Sequence, residues 1–213
     1  MKNKKLYLAS QSPSRKQLLC DAGFEFDTIA NTADESTLIR DGILLEQLTQ
    51  QLAALKMTHI SLPSGSSEGE RCFVITADTM GTDVHGKING KPRDFQDAVR
   101  MLEAIKSGSV CSTGFCIDRK IWNGIAWQME DRVLSQVSSR IIFDVPSNQI
   151  QRYFEQLKKI SNIDYLKVSG GFSMRGPGAQ YVKEIRGSYT AILGLPMYEV
   201  RCALEYLGYF SVA

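Results

Sequence analysis

The stretch LASQSPSRKQLL, residues 8–19, places basic side chains at the point where a helix is predicted to begin. Ser12 is a predicted N-cap and Pro13 suits the first helical position, so Arg15 and Lys16 fall in the first turn. The helix dipole disfavours cations there, whereas free backbone N–H groups and an arginine fork bind phosphate well. The stretch therefore indicates either a phosphate site or an ordinary capped surface helix with solvated cations.

Two acidic positions add the possibility of metal or acid–base chemistry. Asp78 directly follows CFVITA, residues 72–77, which is predicted to be a buried strand. Open α/β sheets bind ligands where such strands end, and a carboxylate there suits a Mg²⁺ ligand or a general base. A turn residue that caps the following hairpin is the alternative. Glu35 lies in the acidic turn ADES, residues 33–36, which taken alone is a common solvent-facing feature.

Two lysines extend the set of possible phosphate ligands. Lys56 continues the apolar stripe of Leu48 and Leu52, and such a lysine usually lays its stem on the core and extends its charge into water. Lys91 lies in GKPRD, residues 90–94, where proline stiffens the chain and glycine lets the backbone approach a ligand. Each lysine indicates either a cation that faces a binding site or an ordinary surface charge.

The elements that would position these side chains alternate between strands and helices. Amphipathic repeats predict helices over 43–60 and 94–106. The stretch 109–145 is typical of three strands, with turns expected at 118–120 and 131–132. We expect further strands at 5–9, 26–30 and 72–77, short hairpin strands after Asp78, and further helices at 147–159, 179–183 and 196–209. This order predicts an α/β fold with a mixed sheet.

The composition argues against several classes of protein. The chain has 213 residues, of which 43% are apolar and 23% are charged, and its formal net charge is +2. So small a charge predicts no general affinity for polymeric nucleic acid or membranes, and no run approaches the roughly 18 apolar residues of a membrane span. Five scattered cysteines without a CxxC pair favour a reducing cytoplasm over a disulfide framework or a zinc site. We therefore expect a cytoplasmic protein with one domain, residues 1–213.

Taken together in chain order, these motifs resemble the Maf family of nucleoside triphosphate pyrophosphatases. The resemblance covers nearly the whole chain, in the family's order and at close to its spacings. The segments that carry it are LASQSPSRKQLL, the acidic pair Asp34–Glu35, the helix lysine Lys56, ADT (77–79), GKPRD, GFSMRGPGA (171–179) and GSYTAILGLPMYEV (187–200). Each segment alone is a weak signal, but the ordered set is highly specific.

The resemblance implies a fold, an activity and a set of partners. Members of this family have an elongated mixed β-sheet flanked by helices, like that of inosine triphosphatases, with two lobes and a central cleft. They use Mg²⁺, or another divalent cation such as Mn²⁺, to split a nucleoside triphosphate into a monophosphate and pyrophosphate. They are cytosolic and often homodimeric. The same properties are expected of this chain.

The resemblance also implies roles for particular residues. Glu35 and Asp78 would bind the metal and orient or deprotonate the attacking water, and Lys91 would complete the catalytic set by balancing phosphate charge. Substrate binding would fall to six residues, which are Ser10, Ser12, Arg15, Lys16, Lys56 and Arg175.

Three positions depart from the family's pattern and leave the base preference and the rate open. Ser14 stands where the commonest pattern has an arginine, and Val168 replaces a lysine. Arg175 replaces a glutamine, or a glutamate in the subfamily that acts on 7-methyl-GTP, at a position thought to contact the base. Arginine only donates hydrogen bonds, so it suits carbonyls of uracil or thymine, or O6 and N7 of an unmethylated purine; alternatively it turns toward the phosphates. The alternative function is a catalytically weak nucleotide-binding protein of the same fold that acts in cell-division control.

Overall fold

A computed structural model describes residues 4–38 and 42–211 of the chain, and these residues form two compact units. The first unit comprises the described residues of Met1–Thr79, Thr113–Val137 and Thr190–Ala213. The second comprises Met80–Ser112 and Ser138–Tyr189. The treatment of 1–213 as one domain stays a prediction, as does the central cleft.

Strands and helices alternate along most of the chain, as the sequence predicts. The strands are β1 (Lys5–Leu8), β2 (Asp27–Thr28), β3 (Arg71–Thr82), β4 (Ile88–Asn89), β5 (Ser109–Trp122), β6 (Trp127–Phe143) and β7 (Val182–Arg186). The α-helices are α1 (Pro13–Asp21), α2 (Leu45–Thr58), α3 (Phe95–Ile105), α4 (Ile150–Ser161), α5 (Tyr189–Ile192) and α6 (Met197–Tyr206). Short 3₁₀ turns occupy Glu35–Thr37, Ser147–Gln149, Tyr165–Lys167, Ser169–Gly171 and Gly176–Tyr181.

Within the described residues, seven strands form one sheet in the order β2-β1-β3-β5-β6-β7, with β4 paired to β3. β1 runs parallel to both β2 and β3, and Leu8 lies opposite Thr28 and Ile75. β4 and β7 run antiparallel to β3 and β6. β3, β5 and β6 contribute residues to both units. The α/β class with a mixed sheet is therefore confirmed.

Alternating side chains bury both faces of the strands in the first unit. Leu6 and Leu8 of β1 pack in one apolar cluster with residues of α1 and α6, such as Leu19. Tyr7, between them in sequence, packs in a second cluster with Met57 of α2. Because successive strand side chains point to opposite faces, the sheet here lies between α1 and α6 on one side and α2 on the other. This packing holds α1 and α2, which carry Arg15 and Lys56, against the strand that carries Asp78.

Helix α2 approaches the sheet closely because of two strand residues. A Cβ on Gly114 of β5 would lie 2.2 Å from the carbonyl carbon and oxygen of Thr49, so only glycine fits without a shift. Thr76 of β3 donates through Oγ1 to the Ala53 carbonyl at 2.7 Å. These two contacts fix the height and rotation of the helix on the sheet, and therefore the place of Lys56.

Aromatic rings join the helices of the second unit. The ring of Phe95, the first residue of α3, meets Phe154 of α4 edge-on at 5.9 Å, and Phe154 also stacks on Tyr165 at 4.2 Å. Asp94 is the N-cap of α3, and its carboxylate accepts from the Asp97 N–H at 2.8 Å.

The predicted turns at 118–120 and 131–132 are wrong, because both segments lie inside the long strands β5 and β6. Charged residues are typical of turns, but Asp118 is fully buried and accepts from Nε and Nη2 of Arg132 at 2.6 and 2.9 Å. Lys120 Nζ lies 2.9 Å from the same carboxylate. Ion pairing between β5 and β6 therefore stabilises these charges inside the sheet. In the sequence alone, the same residues look like a polar turn between two strands.

We predict that Asp118→Asn lowers the free energy of unfolding at pH 7 by about 3 kcal/mol, because it leaves two half-buried cations without their anion. Burial alone would raise the pKa of Asp118, but the hydrogen bonds from Arg132 and Lys120 outweigh it and lower the pKa. A lowered folded-state pKa means that the stabilisation is present above the unfolded-state pKa, near 3.9, and disappears as the pH falls through the folded-state value.

Denaturant unfolding between pH 7 and pH 3 measures this effect. The gap in stability between the wild type and Asp118→Asn should narrow as the pH falls below about 4. Asp27→Asn, an exposed strand aspartate, should match the wild type throughout. A gap that persists unchanged at low pH would contradict the ion-pair explanation.

Two further predicted boundaries differ from the structure. β3 does not stop at Asp78 but runs to Thr82, because its last two residues pair with β4. The helix predicted at 179–183 is instead the end of a 3₁₀ turn and the start of β7, whose residues pair with β6. Short polar segments of this kind carry too weak a periodicity to distinguish a helical turn from an edge strand.

The described helices include none long and apolar enough to cross a membrane.

Candidate functional site

Lys56 bridges two carboxylates in the first unit. Its Nζ lies 3.0 Å from Glu35 Oε1, and the same ammonium hydrogen-bonds Asp78 Oδ1. The side chains of Lys56 and Asp78 are each 12% exposed, whereas that of Glu35 is 44% exposed. Two acids that are distant in sequence are thus brought to one cationic group, and one of them remains open to water.

Three different elements present these side chains. Asp78 lies within β3, Lys56 lies in the last turn of α2, and Glu35 begins the 3₁₀ turn Glu35–Thr37. The turn is shaped by Asp34, whose Oδ1 accepts from the Ser36 N–H at 3.0 Å. An aspartate that caps the turn therefore fixes the backbone from which Glu35 extends.

Arg15 is buried at the start of α1, with 8% of its surface exposed. Its Nε donates to the Gly194 carbonyl at 2.7 Å, Nη1 donates to Ser10 Oγ at 3.1 Å, and Nη2 donates to Thr79 Oγ1 at 3.1 Å. All three acceptors are neutral. These three groups therefore hold the guanidinium in place without neutralising its charge.

The electrostatics of Arg15 follow from this arrangement. Burial lowers the pKa of Arg15, while the negative charges of Asp78 and Glu35 act in the opposite direction. A buried cation gains most from an anion that enters the site, because the surrounding protein screens the interaction weakly. Together, Arg15 and the group formed by Lys56, Glu35 and Asp78 favour an anionic ligand accompanied by a cation.

Ser12 and Lys16 take less defined positions. Ser12 is the N-cap residue of α1, as predicted, although its side chain makes no capping hydrogen bond. Its N–H instead donates to Ser10 Oγ at 3.3 Å, which aligns the serine that also contacts Arg15. Lys16 is half-buried on the same turn. The predicted phosphate contacts of both residues stay predictions.

Lys91 lies in the second unit, on an exposed turn that its neighbours hold firmly. The Gly170 N–H donates to the Gly90 carbonyl at 3.0 Å, and the Arg93 N–H donates to Asp97 Oδ2 at 3.2 Å. The segment GKPR is thus fixed on both sides of Lys91. Its catalytic role stays a prediction.

Arg175 also lies in the second unit, in a tightly folded glycine-rich segment. It is half-buried, and its N–H donates to Ser173 Oγ at 3.3 Å. A Cβ on Gly178 would lie 1.7 Å from the Ser173 carbonyl, so the chain can fold back here only with glycine. The Tyr153 hydroxyl accepts from the Ser173 N–H at 2.8 Å and anchors the segment. The base-reading role of Arg175 stays a prediction.

The acidic residues fit a Mg²⁺ ion that shares its ligands with a substrate. Among the described residues, no group of three or more His, Cys, Asp or Glu side chains could enclose a metal. Glu35 and Asp78, however, already share one cationic partner in the Lys56 ammonium, so their oxygens can meet around a small cation. Mg²⁺ is usually held by one or two carboxylates, with substrate phosphates and water as its other ligands.

Comparison with known proteins decides the family. The family model described as Maf-like protein matches residues 5–207. The chain belongs to the Maf family. In the first unit of this Maf chain, the predicted site residues form two contact groups: Arg15 hydrogen-bonds Ser10, and Lys56 pairs with Glu35 and Asp78. The negative charges of Asp78 and Glu35 also act on Arg15.

Several curated relatives of this Maf chain carry the name dTTP/UTP pyrophosphatase. The protein from Geotalea uraniireducens (strain Rf4) is 32% identical over 205 residues, which are 95% of this chain and 95% of the relative. The protein from Caldicellulosiruptor bescii is 33% identical over 208 residues, 97% and 96% of the two chains. The protein from Hydrogenovibrio crunogenus is 29% identical over 210 residues, 98% of each chain.

Sequence reasoning missed two residues that hold Arg15 in this Maf site. Thr79 and Gly194 supply the acceptors described above, and both lie in family segments, ADT and GSYTAILGLP, to which no role was given. A Cβ on Gly194, whose φ is +113°, would contact Arg15 Nε at 3.4 Å. A threonine directly after a strand aspartate and a glycine in a closing turn were the available signals, but neither indicates its partner.

Proposed function

We propose that the chain hydrolyses a nucleoside triphosphate to the monophosphate and pyrophosphate, with Mg²⁺ or another divalent cation, and that UTP and dTTP are its preferred substrates. The observation that carries the proposal is the single ammonium of Lys56 shared by Glu35 and Asp78, beside the buried Arg15. The names of the relatives supply the pyrimidine nucleotides. A cytoplasmic location and a homodimer stay predictions.

The basic residues account for binding of the triphosphate. Arg15, with its guanidinium fixed by Ser10 and Thr79, would donate to phosphate oxygens without having to reorganise. Because Glu35 and Asp78 would hold the metal, the Lys56 ammonium would turn from these carboxylates toward the phosphates. Lys16 and Lys91 would balance the remaining charge, as the family resemblance implies, and Ser12 would add a hydroxyl donor.

The acidic residues account for the reaction. Water attacks the α-phosphorus, the bond from that phosphorus to the bridging oxygen breaks, and pyrophosphate leaves with the electron pair. Glu35 and Asp78 would both hold the metal, and Glu35, the more exposed acid, would also orient the water and accept its proton. When bound, Mg²⁺ neutralises the charge that develops on the phosphate oxygens.

A substrate panel tests the proposal. Purified protein is incubated with Mg²⁺ and UTP, dTTP, CTP, GTP, ATP or 7-methyl-GTP, and the products are separated and counted. We expect UMP and dTMP to appear in equal amounts with pyrophosphate, faster than any other monophosphate. Release of orthophosphate instead, or tight nucleotide binding with no turnover of any compound, would overturn the enzyme assignment and favour the weakly catalytic binding protein.

We predict that Arg175→Gln changes the ratio of kcat/KM for UTP and dTTP to kcat/KM for the purine nucleotides about tenfold, because glutamine both donates and accepts hydrogen bonds where arginine only donates. Ratios of kcat/KM across the panel measure this. Arg152→Gln, an exposed arginine of α4 in the same unit, is the matched control and should leave the ranking unchanged. An unchanged ranking in Arg175→Gln would show that this side chain does not read the base.

A further inference from the structure

A chain of hydrogen bonds extends from Arg15 into the interior of the first unit. Nη2 of Arg15 donates to Thr79 Oγ1, which lies 2.8 Å from Thr113 Oγ1. Thr113 Oγ1 in turn lies 2.7 Å from the carbonyl oxygen of Ala191. Thr113 lies in β5 and is fully buried, and no sequence motif indicated a function for it.

The direction of each hydrogen bond in this chain can be deduced. A carbonyl oxygen only accepts, so the single hydroxyl hydrogen of Thr113 is given to Ala191. Thr113 must then accept from the hydroxyl of Thr79, whose lone pair is thereby left to accept from Arg15. All the hydrogens point the same way, from the guanidinium toward the Ala191 carbonyl. The hydrogen bonds can therefore run in only one of the two possible directions. In that direction the Thr79 hydroxyl accepts from Arg15.

The two ends of this chain meet the same segment of backbone. Ala191 accepts at the inner end, and Gly194, three residues later, accepts directly from Nε of Arg15 at 2.7 Å. The backbone turn that contains Ala191 and Gly194 therefore fixes two nitrogens of the guanidinium. It fixes Nε directly and Nη2 through Thr79 and Thr113. The third nitrogen is fixed by Ser10.

We propose that Thr113 is a positioning residue for Arg15: its hydroxyl orients Thr79 and so fixes the guanidinium in the orientation that binds the triphosphate. This proposal rests on the proposed function. Without the Thr113 hydroxyl, the Thr79 hydroxyl loses its acceptor and is free to rotate its hydrogen toward Arg15, which would convert the acceptor of Nη2 into a competing donor. Arg15 would still be present and charged, but it would no longer be held for the phosphates.

A matched pair of variants separates the hydroxyl from the shape of the side chain. Thr113→Val keeps the branched shape and removes the hydroxyl, whereas Thr113→Ser keeps the hydroxyl and removes a methyl group. We measure KM and kcat for UTP and, by calorimetry, the Kd of inorganic tripolyphosphate. Thr113→Val should raise both KM and Kd about tenfold with kcat changed less than threefold, and Thr113→Ser should stay within about threefold of the wild type in all three.

A double variant tests whether the effect passes through Arg15. Thr113→Val should add less than twofold to the Kd of Arg15→Lys, because a lysine has no fork for the threonines to hold. Equal effects of the valine and serine variants, or a full tenfold addition in the double variant, would overturn the proposal. If Thr113→Val does not fold, as judged by circular dichroism, Thr113→Ala takes its place in the comparison with Thr113→Ser.

The two measurements distinguish this inference from the proposed function. A wild type that binds tripolyphosphate but hydrolyses no triphosphate would refute the function, while the Kd values would still decide the role of Thr113. A wild type that binds no tripolyphosphate would refute the positioning role itself.

Discussion

Asp78→Asn is expected to reduce the rate of pyrophosphate release from UTP by about 1,000-fold or more, the largest loss expected of any single substitution in this chain. Asparagine has nearly the same shape but no negative charge, so it weakens the metal site and leaves Lys56 with Glu35 as its one remaining carboxylate in the cluster. The defect should appear in kcat as well as in KM, because the charge is needed when the transition state forms. Single-turnover release of pyrophosphate at saturating UTP measures it.

Asp83→Asn is the matched control for this experiment. Asp83 follows β3 in the same part of the chain, and its carboxylate accepts from the backbone N–H groups of His85 and Lys87 in its own turn. It should retain close to full activity. Turnover by Asp78→Asn above about a tenth of the wild-type rate would remove Asp78 from the metal site and from catalysis.

Arg15→Lys is expected to lower kcat/KM for UTP about 100-fold, mostly through KM, although the positive charge is retained. The three nitrogens of Arg15 match three acceptors at fixed positions, Gly194, Ser10 and Thr79, and a single ammonium cannot reach all of them. An ammonium is also more strongly hydrated than a guanidinium, so it is held less well in a site that is only 8% exposed.

The same change at an exposed position provides the reference. Arg152→Lys, on the surface of α4, makes the same replacement of a guanidinium by an ammonium and should leave kcat/KM unchanged. Tripolyphosphate binding should weaken in Arg15→Lys in proportion to the rise in KM. Normal KM with normal tripolyphosphate affinity in Arg15→Lys would mean that the guanidinium stabilises the fold rather than the substrate.

The fold could be predicted where one periodicity dominates a segment. The leucine stripe of α2 follows from a helix face that must be buried, and Leu45, Leu48 and Leu52 are buried in the structure. The sequence predicts three strands where the structure has β5 and β6, because Asp118 and Arg132 resemble turn residues when their pairing is unknown. Pairing between strands depends on two segments, so it cannot be predicted from the pattern of either segment alone.

The candidate site divides in the same way. The motif order predicted Arg15, Glu35, Lys56 and Asp78, whose charges make them recognisable in a linear sequence. The groups that orient them were not predictable, because the contacts join distant parts of the chain: Arg15 and Gly194 are 179 positions apart. A backbone carbonyl is present at every residue and a threonine hydroxyl at many, so neither stands out until the chain is folded.

The most direct test is a crystal structure of the protein with Mn²⁺ and the non-hydrolysable analogue α,β-methylene-UTP, with Mn²⁺ located by its anomalous scattering. We expect one Mn²⁺ ion bound by the carboxylates of Glu35 and Asp78, a phosphate group on the guanidinium of Arg15, and the Lys56 ammonium moved from the carboxylates to a phosphate oxygen. Nucleotide and metal bound elsewhere, with the Lys56 ion pairs intact, would contradict the assignment of this cluster as the catalytic site.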